Sequence, residues 1–158
     1  MEKLAEAAHE IFCDDLRAKG YKYGLLTQKS KKMHSSLMPY HELPENEKEQ
    51  NRNYVRDIPS KLASIGYSLL AARDDKSLNE FSADEIELLA KMEHKRWMQE
   101  KLNADWRYSE KTNKSRRLHK DLLPWHDLSD NEKEKDRVLV RNIPRILAEA
   151  GYTMVRLD

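Results

Sequence analysis

Apolar residues recur with helical spacing at the start of the chain. The stripe repeats at i, i+4, i+7, i+8 and i+12, and its members are Leu4, Ala8, Ile11, Phe12 and Leu16. This spacing places the five side chains on one face of a helix, and Gly20 is suited to end it. A second long helix is predicted to begin after Ser82, because Glu85 stands three residues further on and completes a capping box. That helix should extend to about Asn103.

Two later segments carry helical apolar faces that a proline interrupts at the same place. The faces are Val55, Ile58, Leu62 and Ile65, and Val140, Ile143, Leu147 and Ala150. We expect these helices to start near Pro44 and near Ser129, the latter with a capping box to Glu132. Pro59 and Pro144 predict a kink or a break into two helices. Each helix then ends at a glycine, and short strands are expected at 67–70 and 152–157.

The chain is a duplication, because these patterns return at a constant offset of about 85 residues without a gap. About 25 of about 64 aligned positions are identical, far above chance for unrelated segments. We therefore divide the chain into a first repeat, 1–70, a polar linker, 71–81, and a second repeat, 82–158. Each repeat alone is too small for more than a marginal core, so we expect the two to form one compact unit.

Composition narrows the class of protein. Hydrophobic residues make up 39% and charged residues 36%, yet the formal net charge is only +1, so we do not expect a nucleic-acid partner. The single cysteine, Cys13, excludes an internal disulfide and fits a reducing compartment. No apolar run approaches the ~18 residues that span a bilayer. We expect a cytoplasmic protein without membrane insertion.

The ordered motifs of both halves resemble the ryanodine-receptor (RyR) repeat. The first copy supplies Leu4-Ala5, His9, Phe12, Gly20-Tyr-Lys-Tyr-Gly24, His34, Leu37, Pro39-Tyr40, Leu43-Pro44, Glu47-Lys48 and Gly66-Tyr67. The second supplies Leu89-Ala90, His94, Trp97, Trp106, Tyr108, His119, Leu122, Pro124-Trp125, Leu128, Glu132-Lys133 and Gly151-Tyr152. The resemblance implies a mainly α fold with short β-strands (α+β). It also implies two repeats related by a pseudo-twofold, each with two main helices, an extended arm and short strands.

The candidate site lies where the two first helices differ. The apolar positions Ala8, Ile11 and Leu16 correspond to Glu93, Arg96 and Lys101, and Phe12 corresponds to Trp97. Helical spacing puts the acid, the indole and the ammonium on one face. If the pseudo-twofold brings the helices together, the two aromatic rings would clamp a planar ligand. In the alternative interpretation, the charged side chains are a solvated helix face with local pairs and Trp97 is core.

The resemblance implies a function as well, since the cleft of a receptor tandem pair can hold an adenine nucleotide. We therefore expect a non-enzymatic, ligand-binding signalling module. Its partner would be a small molecule, a purine nucleotide or a nucleotide-derived compound, and its ligand-binding residues are Phe12, Leu16, Glu93, Arg96, Trp97 and Lys101. The alternative is a scaffold that docks a protein partner through its arms. No cofactor, metal site or catalytic residue is predicted, and the paired histidines His9 and His94 are expected to bond to loop carbonyls.

Overall fold

A computed structural model describes residues 2–71 and 80–157, so most of the predicted linker 71–81 lies outside the described residues. Helices predominate, and they are α1 (Glu2–Ala18), α2 (Glu45–Arg56), α3 (Ile58–Ser64), α4 (Ala83–Asn103), α5 (Asp130–Arg141) and α6 (Ile143–Glu149). The strands are short: β1 (Lys22–Tyr23), β2 (Met33–His34), β3 (Tyr67–Ala71), β4 (Arg107–Tyr108), β5 (Leu118–His119) and β6 (Tyr152–Arg156). The predicted fold class, mainly α with short strands, is confirmed.

The local signals for helix boundaries act as the sequence predicts. Ser82 Oγ accepts a hydrogen bond from the Glu85 backbone N–H at 3.1 Å, and Glu85 Oε1 accepts one from the Ser82 N–H at 2.9 Å. This complete capping box starts α4, which ends at Asn103. Pro59 lies in the first turn of α3, directly after the break that separates α3 from α2. A break also separates α5 from α6 in front of Pro144, so the predicted interruption is confirmed in both repeats.

The capping box predicted at the start of α5 is only half formed. Ser129 Oγ accepts from the Glu132 N–H at 3.3 Å, but the structure records no return bond from the Glu132 carboxylate. That carboxylate instead accepts from Lys120 Nζ at 2.9 Å and from Lys135 Nζ at 3.0 Å. The two ammonium groups attract a carboxylate more strongly than a neutral backbone N–H does, and this explains the departure from the prediction.

The described contacts divide the chain into two compact units that do not follow the repeats. One unit comprises Met1–Asn79 with Ile143–Asp158, and the other comprises Glu80–Asn142. The last helix and strand of the second repeat therefore pack with the first repeat. This division by contacts leaves the repeat bounds 1–70 and 82–158, and the expected single compact body, as predictions.

The first unit is built from α1, α2, α3, α6 and a two-stranded sheet. Strands β3 and β6 pair antiparallel, with Tyr67 opposite Arg156 and Ala71 opposite Tyr152. Helix α1 packs against α2 and α6. The fully buried apolar side chains include Ile58, Leu62, Ile143 and Leu147. The strands predicted at 67–70 and 152–157 are thus confirmed and lie side by side.

The second unit pairs α4 with α5 and carries the second arm. Arg137 on α5 donates from Nε to Glu87 Oε2 on α4 at 2.9 Å. The first unit repeats this ion pair between α2 and α1, where Arg52 Nε donates to Glu2 Oε1 at 2.6 Å. The same pair of helices is therefore joined in the same way in both repeats.

Each arm forms a small parallel ladder that the sequence pattern does not reveal. β1 pairs with β2 and β4 pairs with β5, each over two residues. Two residues are too few for an alternating pattern, and the sequence therefore indicates only an irregular stretch. Between the two strands of each ladder the basic tip forms one turn of 3₁₀ helix, Lys29–Lys31 in the first arm and Lys114–Arg116 in the second.

Candidate functional site

Two matching histidines attach each arm to the first helix of its repeat. His9 Nε2 donates to the carbonyl of Met38 at 2.7 Å, and His94 Nε2 donates to the carbonyl of Leu123 at 2.7 Å. All four residues belong to loop or helix positions that correspond between the repeats. The prediction that these histidines bond to loop carbonyls is confirmed.

The histidine of the second repeat has an acidic partner as well. His94 Nδ1 lies 3.5 Å from Asp136 Oδ2, whereas Asn51 occupies the corresponding position of the first repeat. Burial disfavours the charged imidazole, but the bonds to Asp136 and Leu123 outweigh burial and raise the pKa of His94. Burial also raises the pKa of Asp136, and the neighbouring imidazole opposes that rise. A protonated His94 is thus favoured by the fold.

Phe12 and Trp97 each stack on the histidine of their own repeat, His9 and His94, with similar geometry. Phe12 stacks on His9 with ring centroids 5.9 Å apart and meets His34 edge-on at 5.3 Å. Trp97 stacks on His94 at 5.8 Å and meets His119 edge-on at 4.8 Å. Neither ring is sealed in a core, since Phe12 is 38% exposed and Trp97 is half-buried. The two rings lie in different compact units, so the clamp between them stays a prediction.

Glu93 and Arg96 bind each other. Arg96 donates from Nε and Nη2 to the two carboxylate oxygens of Glu93 at 2.9 and 2.8 Å, and from Nη1 to Glu100 at 2.7 Å. Glu93 is only 2% exposed, so this part of the helix is not a solvated face. Burial disfavours the guanidinium, yet the two carboxylates hold the pKa of Arg96 above its ordinary value. The pair neutralises itself inside the second unit.

Among the described residues, Lys101, unlike Arg96, contacts an aromatic ring and not a carboxylate. Its Nζ lies 4.6 Å from the centre of the Trp106 ring, and the side chain is half-buried. Within residues 2–71 and 80–157, no carboxylate oxygen lies within 4.0 Å of this ammonium. Burial, together with the charges of Lys114 and Arg96, lowers the pKa of Lys101, while Glu100 opposes this effect. The half-buried Leu16 takes this position in the first repeat.

His119 adds a neutral hydrogen-bond donor beside Lys101. Burial lowers the pKa of His119, and the positive charges of Lys101 and Lys120 lower it further. Its Nδ1 accepts from the Asp121 backbone N–H at 3.0 Å, which places the proton of the neutral ring on Nε2. We call Trp97, Lys101, Trp106 and His119 the basic aromatic cluster.

The cluster includes two residues that the sequence-based site leaves out, Trp106 and His119. The sequence indicates only arm packing for Trp106 and a structural role for His119. One sequence signal could have drawn attention to them: Trp106 corresponds to an aromatic residue of the first repeat, Tyr21, and His119 corresponds to a histidine, His34. Of the predicted residues, Trp97 and Lys101 belong to this cluster, Glu93 and Arg96 form the adjacent ion pair, and Phe12 and Leu16 lie in the first unit.

Such a cluster has a definite binding chemistry. An exposed indole face stacks flat rings, a half-buried ammonium attracts an anion such as phosphate, and the imidazole N–H can donate to an oxygen. Within the two described ranges, no three His, Cys, Asp or Glu side chains are grouped so as to hold a metal ion. Among the helices of residues 2–71 and 80–157, none has an apolar stretch long enough to cross a lipid bilayer.

Comparison with known families decides the class of the chain. The sequence model of the RyR domain matches residues 1–71 and again residues 74–156. The chain belongs to the RyR domain family. It carries two RyR domains in tandem, as the duplication predicts, and together they account for nearly all of its length. In this tandem RyR protein the basic aromatic cluster is a feature of the second domain, because the first domain has Leu16 in place of Lys101.

Proposed function

We propose that this tandem RyR protein is a non-enzymatic module that binds a purine nucleotide or a nucleotide-derived small molecule. The observation that supports this proposal best is the surroundings of Lys101. A half-buried ammonium lies over an indole, and no carboxylate oxygen of the described residues lies within 4.0 Å of it. A bound anion would supply a close negative charge.

The cluster matches the parts of a nucleotide. Trp97 offers a partly exposed indole face one helical turn before Lys101, and a purine base stacked on it would place its phosphates towards the ammonium. Stacking of a base on an aromatic side chain contributes roughly 1–3 kcal/mol. The Nε2–H of His119 can donate to a phosphate or ribose oxygen.

The other predicted ligand-binding residues take different roles in this proposal. Phe12 and Leu16 would cover the second face of the base, which requires the predicted clamp. Glu93 and Arg96 hold each other, so they would support α4 beside the ligand and need not contact it. In this proposal the phosphate contact is made by Lys101, and Arg96 need not contribute to it.

Binding is tested with a panel of adenine and guanine nucleotides, by calorimetry and by thermal shift. A ligand present at 100 times its Kd should stabilise the protein by about 2.7 kcal/mol. Trp97→Ala should weaken binding by about 5- to 150-fold, the equivalent of 1–3 kcal/mol of stacking. Lys101→Gln should weaken binding about tenfold and reduce its salt dependence. Lys95→Gln is the matched control, because Lys95 is an exposed lysine on the same helix.

Three results would count against this function. One is a panel in which no purine nucleotide raises the melting temperature. Another is nucleotide binding that Trp97→Ala leaves intact. The third is slow conversion of a bound nucleotide, seen by product analysis after long incubation, which would make the protein an enzyme. Recruitment of a protein through the arms, without nucleotide binding, would favour the scaffold alternative.

A further inference from the structure

The arm of the first repeat carries two leucines at its tip that pack against almost nothing. Leu25 is 84% exposed and Leu26 is 69% exposed, and the neighbouring Tyr23 is 50% exposed. The three residues follow one another closely in the chain at the end of β1. We call Tyr23, Leu25 and Leu26 the apolar tip.

The backbone holds this tip in a defined turn. A Cβ atom on Gly24 would lie 2.6 Å from Met33 Cε and 3.1 Å from Met33 Cβ, so the chain passes close to the Met33 side chain of β2 at this residue. Gln28 and Met33 exchange two backbone hydrogen bonds, of 2.9 and 3.1 Å, across the loop. The leucines therefore lie exposed on a loop that backbone hydrogen bonds close.

Lysines flank the apolar tip on both sides in the chain. The exposed lysines of this arm are Lys22, Lys29, Lys31 and Lys32. Residues 20–34 contain no aspartate or glutamate, whereas the whole chain has a net charge of only +1. The arm is therefore locally cationic and also carries exposed apolar side chains.

The second repeat has the same arm without the apolar tip. Glu110 and Lys111 occupy the positions of Leu25 and Leu26. Its basic residues are Arg107, Lys111, Lys114, Arg116 and Arg117, and Asp105 and Glu110 reduce their effect. Since both arms form the same ladder, the apolar tip is not needed to fold an arm.

We propose that the arm of the first repeat docks on an anionic phospholipid surface. The two leucines would enter the head-group region, and the four lysines would lie over the lipid phosphates and carboxylates. Each element alone binds a membrane weakly, and stable binding requires an apolar and an electrostatic contribution together. The contact is peripheral and needs no helix in the bilayer.

Charge and apolarity together favour an anionic membrane over a nucleic acid or a second copy of this chain. Nucleic-acid phosphates would engage the lysines but would leave two aliphatic side chains in water. A second copy of this chain would cover the leucines but would bring four lysines against four lysines. An anionic lipid surface satisfies both features.

The test is cosedimentation of the whole protein with phosphatidylserine–phosphatidylcholine vesicles and with pure phosphatidylcholine vesicles. We expect binding to the anionic vesicles only, and weaker binding as salt is raised. Leu25→Ser with Leu26→Ser should lower the partition coefficient about tenfold or more. Lys29→Gln with Lys31→Gln should lower it by a similar factor.

The second arm supplies the matched controls. Glu110→Ser with Lys111→Ser, and Lys114→Gln with Arg116→Gln, should leave vesicle binding within about twofold of the original protein. All variants change exposed side chains, and an unchanged melting temperature confirms that each is folded. Loss of binding in the first-arm variants alone supports the proposal.

Other outcomes overturn the proposal. The first would be that the original protein does not bind anionic vesicles, or that it binds them equally well with and without the leucines. The second would be an oligonucleotide that binds through the lysines with an affinity that the leucine variant does not change, which would make the arm a nucleic-acid surface. The third would be a dimer, seen by sedimentation, that dissociates in the leucine variant, which would make the tip an interface between copies.

Discussion

Replacing Arg96 by isoleucine tests how much the ion pair between Arg96 and Glu93 contributes to the stability of the second unit. The change removes the bidentate partner of Glu93, whose carboxylate is 2% exposed, and also the 2.7 Å bond to Glu100. Removing one partner of a buried ion pair costs about 3–5 kcal/mol, because the remaining charge loses its compensation. The Arg96 side chain is 17% exposed, so water can partly replace it. We therefore expect a loss near the lower end, about 3 kcal/mol.

The first repeat supplies the matched rescue. Ala8 and Ile11 stand at the positions of Glu93 and Arg96, so Glu93→Ala with Arg96→Ile installs an apolar pair that this fold already accommodates. Replacing a whole buried ion pair by apolar residues is often neutral, and we expect the double variant to lose only about 1 kcal/mol. The coupling between the two positions should then be about 2 kcal/mol or more.

Tryptophan fluorescence makes the measurement specific to the second unit. The protein has three tryptophans, Trp97, Trp106 and Trp125, and all three lie within Glu80–Asn142. Urea denaturation followed by this fluorescence reports the free energy of unfolding there. The reasoning is refuted if Arg96→Ile costs less than about 1 kcal/mol, or if the double variant loses as much as the two single variants together.

Three further predictions use other features of the fold. The raised pKa of His94 contributes stability that is complete below about pH 6.5 and is lost as pH rises through the higher folded value, so the melting temperature should fall from pH 6 to pH 8. Asp136→Asn should flatten this dependence, and equal slopes in both proteins would contradict the assignment. Ser82→Ala should destabilise α4 by about 1 kcal/mol in urea denaturation, whereas Ser82→Gly should cost only a few tenths. Gly24→Ala should cost about 1 kcal/mol by circular dichroism because of the close approach of Met33, and Met33→Ala in the same protein should recover most of it.

The helix boundaries are predictable because their causes act within one turn. The Ser82 capping box needs only Glu85, and the break between α2 and α3 needs only the ring of Pro59. Half of the Ser129 box fails for a reason outside the helix, since Lys120 belongs to the arm and is close to Glu132 only after folding. The pairing of β3 with β6 is likewise invisible in sequence, because the two strands are separated by most of the second repeat.

In the candidate site, too, the sequence predicts some features and the folded structure is needed for others. The duplication shows, without coordinates, that Glu93, Arg96 and Lys101 replace apolar residues of the first copy. Sequence spacing puts all three near one another, but it does not say which charges neutralise each other, because that depends on rotamers and burial. The tertiary structure pairs Arg96 with Glu93 and Glu100, and it lays Lys101 over Trp106 beyond the end of α4.

The amino-acid sequence is sufficient to predict the duplicated RyR architecture, the helix boundaries and the positions at which the two copies differ. The partners of the buried charges and the strand that completes the first unit are decided by the tertiary structure. The reason is that caps, breaks and stripes are local interactions, whereas charge compensation and strand pairing join residues that only folding brings together.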